Sequence, residues 1–360
     1  MCSSDLQTVV NFCTGNGDHI LNYRGRDGWE ATFDWARYNA FILGGTARQH
    51  NRWWLERVRE GGETGSTPAW LGPSFMVSDE PMDYRKLAAI YRTFRKVAAE
   101  RKVNLKLLEY FEPGPEFCHS DFKQRHHEVM ANGVIDVTLP LAADSRAYAA
   151  RPGGIPAGLA AGDFVAEQCG AFVRDFELDG VLLGNQCGLI GFWHPNSAPP
   201  ATAERRAGIL RFFKQLRAAM GDRLVYWMDT YWPADVEIEK WAMSEEAYAQ
   251  LDAVMISNFA VIVKTEQIVP NLQSRLRIAG KFGGRPNTLF SVDFFDPWYT
   301  YRVYLDMKQF IEIQNEIYRQ WGAKCQGVSF FANDTFGLWV PEQPLNRTYQ
   351  ALQLAPPANS

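Results

Sequence analysis

Six short apolar runs in this chain stop on a carboxylate or a carboxamide: residues 105–109, 180–185, 225–229, 254–258, 289–293 and 328–334, ending on Glu109, Asn185, Asp229, Asn258, Asp293 and Asp334. Strands covered on both faces by crossover helices read as short apolar runs. In a closed parallel barrel their C-terminal ends open onto one rim, where chemistry is done. The pattern predicts an α/β chain folded as a (β/α)8 TIM barrel with acids and amides around its mouth.

The length fits one such barrel, since 360 residues at 46% hydrophobic content bury a large core. A single barrel over residues 7–352 is the expected organisation. A net charge of -4, with Lys and Arg scattered along helical segments, gives no basic stripe for a phosphate backbone, so nucleic acid is not an expected partner. No run of about eighteen apolar residues occurs, and no membrane span is expected. The six Cys, at 2, 13, 118, 169, 187 and 325, form no CxxC pair or dense framework and are read as buried thiols in a reducing setting. Residues 1–6, Met-Cys-Ser-Ser-Asp-Leu, carry no targeting pattern and look like translated sequencing adapter, as in a metagenomic fragment. The chain as it stands is expected to be cytoplasmic, with a secretion signal lost from a truncated N-terminus as the alternative.

Along the chain, strands are expected at 9–13, 41–44, 105–109, 180–184, 224–229, 254–258, 289–293 and 327–332. Helices are expected at 29–38, 83–101, 163–176, 203–220, 266–279, 304–321 and 345–352. The 83–101 helix places Leu87, Ile90, Tyr91 and Phe94 at helical spacing. Between 113 and 162 the β-α cadence breaks, Pro and Gly are frequent, and only 134–139 reads as a strand. Such a stretch predicts an insertion over the barrel mouth, in the manner of a lid. No glycine-rich phosphate loop follows a strand, as a nucleotide-binding open sheet requires.

Asp229 ends Leu-Val-Tyr-Trp-Met-Asp and runs into Thr230-Tyr231-Trp232-Pro233, a carboxylate beside an aromatic platform. Asp293 ends Leu-Phe-Ser-Val-Asp and precedes Phe294-Phe295-Asp296-Pro297-Trp298. Two acids on one rim are what glycosidic cleavage uses: one protonates the leaving oxygen, and the other attacks or activates water. The structural alternative for each is a cap or loop-fixing acceptor. Glu109 and Glu112 are three residues apart, so a continuing strand points them to opposite faces; Glu109 is favoured if the strand ends there, Glu112 if it runs on. Asp229, Asp293 and Glu109 are therefore the catalytic candidates. Asn185, Glu112, His50, Trp53, His194, Trp232, Asn258, Trp298 and Asp334 are the substrate-binding candidates. An indole face suits the C–H face of a sugar ring, and imidazole and amide groups suit its hydroxyls.

The segment Phe176-Glu-Leu-Asp-Gly-Val-Leu-Leu-Gly-Asn185 resembles the fourth-strand region of (β/α)8 glycoside hydrolases of the α-amylase and α-galactosidase kind. There an Asp-Gly pair leads into an apolar strand that ends on the nucleophilic Asp. The resemblance covers about ten residues and the barrel cadence. It implies a glycoside hydrolase or transglycosidase acting on an oligosaccharide or polysaccharide without a cofactor. Asn185 departs from the pattern, because an amide cannot form the covalent intermediate; either the nucleophile lies on another strand or the enzyme inverts. With His at 19, 50, 119, 126, 127 and 194, neither an HxH on the first strand nor HExxH occurs, which disfavours a zinc hydrolase. His126-His127 is read as a surface pair. A metal-dependent sugar isomerase using Glu109, Asp229 and Asp293, and a carbohydrate-binding barrel without catalysis, are the other two readings.

Overall fold

The computed structural model describes residues 7–12, 40–44, 105–111, 120–131, 134–148, 150–183, 202–229, 244–257, 287–294 and 327–332, with scattered positions between 91 and 102. The strands are β1 (Gln7–Phe12), β2 (Ala40–Gly44), β3 (Leu105–Phe111), β4 (Met130–Ala131), β5 (Val134–Ile135), β6 (Gly180–Leu183), β7 (Leu224–Asp229), β8 (Ala253–Ser257), β9 (Asn287–Phe294) and β10 (Gly327–Ala332). The helices are α1 (Ser120–Arg125), α2 (Ala161–Asp175), α3 (Ala203–Met220) and α4 (Glu245–Tyr248). Expected helices at 29–38, 266–279, 304–321 and 345–352, and residues 1–6, lie outside the described residues.

Eight strands pair in parallel in the order β1-β10-β9-β8-β7-β6-β3-β2, and β1 bonds both β2 and β10, which closes the ring. Successive residues are buried along the strands: Leu107 and Leu108 on β3, all four positions of β6, and Val225, Tyr226 and Trp227 on β7. One side of each strand faces the barrel interior and the other faces the helices, so neither can be polar without a partner. Trp227 meets Phe213 of α3 and Tyr248 of α4, with ring centroids 6.4 and 5.4 Å away, and thereby joins β7 to the outer layer. Thr202 caps α3 by accepting from the Arg205 N–H, and Gly221 ends that helix at φ 60°, where a side chain would be strained.

The N-terminal ends of two strands are fixed by the same device. Asp179, just before β6, accepts from the Leu107 N–H of β3 at 2.8 Å, while its own N–H donates to the Leu107 carbonyl at 2.9 Å. Arg95 lies 3.3 Å from the same carboxylate. Asp252, just before β8, accepts from the Val225 N–H of β7 at 2.8 Å and donates to the Val225 carbonyl at 2.8 Å. Arg217 of α3 bonds Asp252 at 2.7 Å and also donates to the Gln250 and Arg223 carbonyls. Each Asp thus pairs with a neighbouring strand through both main chain and side chain, before the regular ladder begins. A one-residue slip would move side chains to the wrong face, and these clips oppose it.

The glycine of the Asp179-Gly180 pair has its own cause: a Cβ at Gly180 would lie 2.0 Å from the Leu224 carbonyl oxygen, a backbone atom of the next strand. Gly180→Ala is expected to lower unfolding free energy by about 1–3 kcal/mol, the usual scale of overpacking in a tight interior. A denaturant titration checks this; an unchanged midpoint would mean that the two strands can part at no cost.

The described residues between 120 and 162 are more structured than their composition predicts. The expected strand at 134–139 is only β5, paired with β4 in a two-stranded antiparallel hairpin. Asp136 stops it by turning its carboxylate back onto the Thr138 N–H at 3.0 Å and hydroxyl at 2.7 Å, a side-chain turn that competes with the ladder. The helix α1 lies in this stretch as well, followed by a 3-10 turn at His127–Val129. No helix among the described residues is long and apolar enough to cross a membrane.

Candidate active site

The backbone brings the three catalytic candidates onto parallel strands of one ring. Asp229 is the last residue of β7, and Asp293 is the residue before the last of β9, with β8 between them. Ile256 of β8 is in register with Asp229 on one side and Phe290 on the other. Asp293 therefore lies three residues further along its strand than the position level with Asp229. At about 3.3 Å per residue and about 4.8 Å per strand, the two backbones are offset by roughly 10 Å along the strands and roughly 10 Å across them.

Glu109 is in register with Val181, and β3 runs two residues beyond it to Phe111. The strand thus continues past Glu109, the condition under which Glu112, next in sequence after Phe111, becomes the rim candidate. Glu112 itself lies outside the described residues, as do Asn185, His50, Trp53, His194, Trp232, Asn258, Trp298 and Asp334. Asn258 directly follows the end of β8, while Asn185 and Asp334 come two residues after β6 and β10.

The segment joining β3 to α2 is built against the first turns of α2 and α3. Gly162 and Ala161 of α2 donate backbone N–H bonds to the Val137 and Leu139 carbonyls. A Cβ at Gly208 of α3 would meet the Thr138 side chain at 2.7 Å. Phe164 of α2 stacks on Phe122 of α1 at 5.9 Å and takes Tyr148 edge-on at 5.0 Å. Crossover helices run back against the strands they connect, so their first turns lie on the side toward which the strands' C-terminal ends point. A cleft of about 250 Å³ opens there, bordered by Thr138, Asp163, Gly208 and Arg211. It belongs to the outer layer and not to the barrel mouth, and the Asp163–Arg211 ion pair occupies its polar wall.

Two polar clusters organise this segment. In the first, Arg205 of α3 donates from Nη1 to Asp136 at 2.5 Å, and both side chains are nearly inaccessible, at 7% and 6% exposure. In the second, Asp144 accepts from the Tyr148 hydroxyl at 2.6 Å, from the Arg146 N–H at 2.9 Å and from Arg125. Burial works against the Asp144 charge, yet Tyr148, the Arg146 N–H and Arg125 outweigh it and hold its carboxyl below the ordinary range. Glu128 is likewise held low: burial opposes its charge, and the Ala142 N–H at 2.7 Å leads the groups that favour it. Cys169, fully buried in α2, has its thiol pushed well up by burial, which outweighs a backbone hydrogen bond that favours the thiolate.

His126 is not part of a surface pair: it is 1% exposed, its ring tilted against that of Phe122 with centroids 4.6 Å apart, and of the two only His127 faces solvent. The reason is local. The chain turns at 126, so the 3-10 turn carries His127 outward while the His126 ring points back under α1. Asp136, Asp144, Tyr148 and Arg205 were not singled out from the sequence. Their partners stand 4 to 69 residues apart, and no periodic signal links such positions.

No protein-family model matches this sequence, and no curated protein matches it. Among solved structures, a beta-N-acetylhexosaminidase from Bacteroides fragilis is similar over 99% of this chain and 67% of its own, at 11% identity and a TM-score of 0.54. A chitinase from Chromobacterium violaceum is similar over 97% of this chain and 100% of its own, at 9% identity and a TM-score of 0.47. An endo-beta-N-acetylglucosaminidase from Cordyceps militaris is similar over 97% of this chain and 91% of its own, at 10% identity and a TM-score of 0.45. The likeness to the first is a likeness of fold.

Proposed function

We propose that this chain is a (β/α)8 glycoside hydrolase or transglycosidase that acts on an oligosaccharide or polysaccharide through rim carboxylates. The observation that carries the reading is the position of Asp229 and Asp293 at the C-terminal ends of β7 and β9, two strands apart on one barrel. Catalytic groups of such barrels come from the ends of several different strands. The fold similarity to a protein named as a beta-N-acetylhexosaminidase supports a glycan as the first substrate class to test. One acid protonates the glycosidic oxygen as the bond breaks, and the other draws a proton from the attacking water. Glu109 or Glu112 serves as a third acid from β3, and Trp232 and Trp298, close in sequence to the two acids, offer ring faces to the sugar. The 113–162 segment forms one wall of the mouth.

The backbone offset favours inversion. The two backbones stand far enough apart to leave room for a water between the acids, as inversion requires with carboxyls about 6.5–9.5 Å apart. Retention needs about 5–5.5 Å. Asn185 after β6 agrees with this, since no covalent intermediate can form on an amide. A screen of the chain on a glycan panel tests the class, and turnover that survives EDTA excludes a metal-dependent isomerase. Binding without turnover would favour the non-catalytic barrel. On an active substrate, proton NMR of the first product, recorded before mutarotation, is expected to show the anomer opposite to the substrate's; a matching anomer overturns inversion.

A further inference from the structure

The ring of His126 is held at both nitrogens by carboxylates: Nδ1 lies 3.3 Å from Glu128 Oε1, and Nε2 lies 3.2 Å from Asp144 Oδ2. Both acids are held below the ordinary carboxylate range, Asp144 by Tyr148, the Arg146 N–H and Arg125, Glu128 by the Ala142 N–H, and both by His126 as well, so both oxygens accept. Neutral imidazole has one N–H and one lone pair; imidazolium has two N–H groups. In the neutral form one nitrogen would aim its lone pair at a carboxylate in a site 1% exposed. The charges agree with the geometry. Among the described residues, Glu128 and Asp144 face the ring nitrogens and Arg125 is bonded to Asp144, so a charged His126 sets a second cation against the two acids. Tyr148, on Asp144, is held neutral because burial and that acid raise its hydroxyl, and the Phe122 ring covers the remaining face.

We propose that His126 is a protonation-dependent pin that ties the 3-10 turn at His127–Val129 to the 142–148 stretch, and that loss of its proton loosens the whole wall built on α2. The tie has mechanical reach because each acid also holds main chain: Glu128 takes the Ala142 N–H and Asp144 takes the Arg146 N–H. When the ring loses its proton, only one bridge can form at a time, so each acid in turn faces a lone pair and the amide it holds loses its fixed anchor. The wall is then firm in mildly acidic solution and looser in alkaline solution. At strongly acidic pH it fails for the opposite reason, as Asp144 and Glu128 take up protons.

Two measurements on the whole chain test this. Nitrogen-15 spectra of the histidine rings, with His126 assigned by its loss in His126→Gln, are expected to show both ring nitrogens protonated at about pH 6. A bare nitrogen there overturns the pin. Hydrogen exchange, corrected for its intrinsic pH dependence, is expected to show the Ala142 and Arg146 amides losing at least about tenfold protection from about pH 5.5 to about pH 9, with the barrel strands unchanged. In His126→Gln that dependence should vanish, and in His127→Gln it should persist. Flat protection in the native chain, or a dependence that survives in His126→Gln, overturns the proposal. If His126→Gln does not fold, the native chain's exchange profile and ring spectra, assigned from backbone correlations, decide it alone. Neither readout needs a substrate, so a wrong glycan assignment would leave this test intact.

Discussion

Asp229→Asn and Asp293→Asn each lower turnover by several orders of magnitude while leaving the melting temperature nearly unchanged. The amide keeps the shape of the carboxyl and removes only its proton chemistry, and a general acid or base contributes about 10²–10⁴-fold. The comparison of kcat with stability is what gives the experiment its force. A variant that keeps near-native turnover marks its residue as a turn or cap. A variant that loses activity together with stability marks a structural acceptor. Only loss of rate in an intact fold assigns the residue to the reaction.

Asp136→Ala produces the largest expected loss of stability, about 3–5 kcal/mol, because it strands the Arg205 guanidinium in a site with 7% exposure. The loss would appear as a lower denaturant midpoint with the slope kept. Nε and Nη2 of Arg205 already lack hydrogen-bond partners among the described residues, so the guanidinium is only partly satisfied with Asp136 present. The paired change Asp136→Leu with Arg205→Met is therefore expected to recover most of the loss. If the single and double variants are equally destabilised, the Thr138 turn on Asp136, and not the charge pair, accounts for the effect.

The strands were the legible part of this sequence. Those expected at 224–229 and 327–332 coincide with β7 and β10, and the other six differ from the observed bounds by no more than two residues at either end. Burial on both faces writes itself as uninterrupted apolar residues, and the barrel's regular return repeats that signature. The helices at 163–176 and 203–220 were legible because an amphipathic period survives in both. The segment from 113 to 162 was not. Its order rests on single polar bonds, such as Asp136 to Arg205 and Asp144 to Tyr148, and a sequence shows the partners without showing the pairing. His126 illustrates the limit most plainly, because its neighbour His127 is exposed and nothing in the two adjacent letters separates them. Of the catalytic candidates, composition at strand ends was readable, whereas which acid a strand's last residues present depends on where that strand stops. The extension of β3 to Phe111 shows how two residues change the choice between Glu109 and Glu112.

The clips at Asp179 and Asp252 also bear on how such a chain can change over time. Both stand at the N-terminal ends of their strands, and both set the alignment there without using any rim residue. An insertion, a deletion or a new side chain in a rim loop then leaves the indexing of neighbouring strands untouched. Substrate preference can drift, or be redesigned by swapping loops, on a foundation that does not have to be rediscovered at each step. The same arrangement makes the two aspartates poor targets for library mutagenesis: variation at these positions would spoil the scaffold on which every other variant depends.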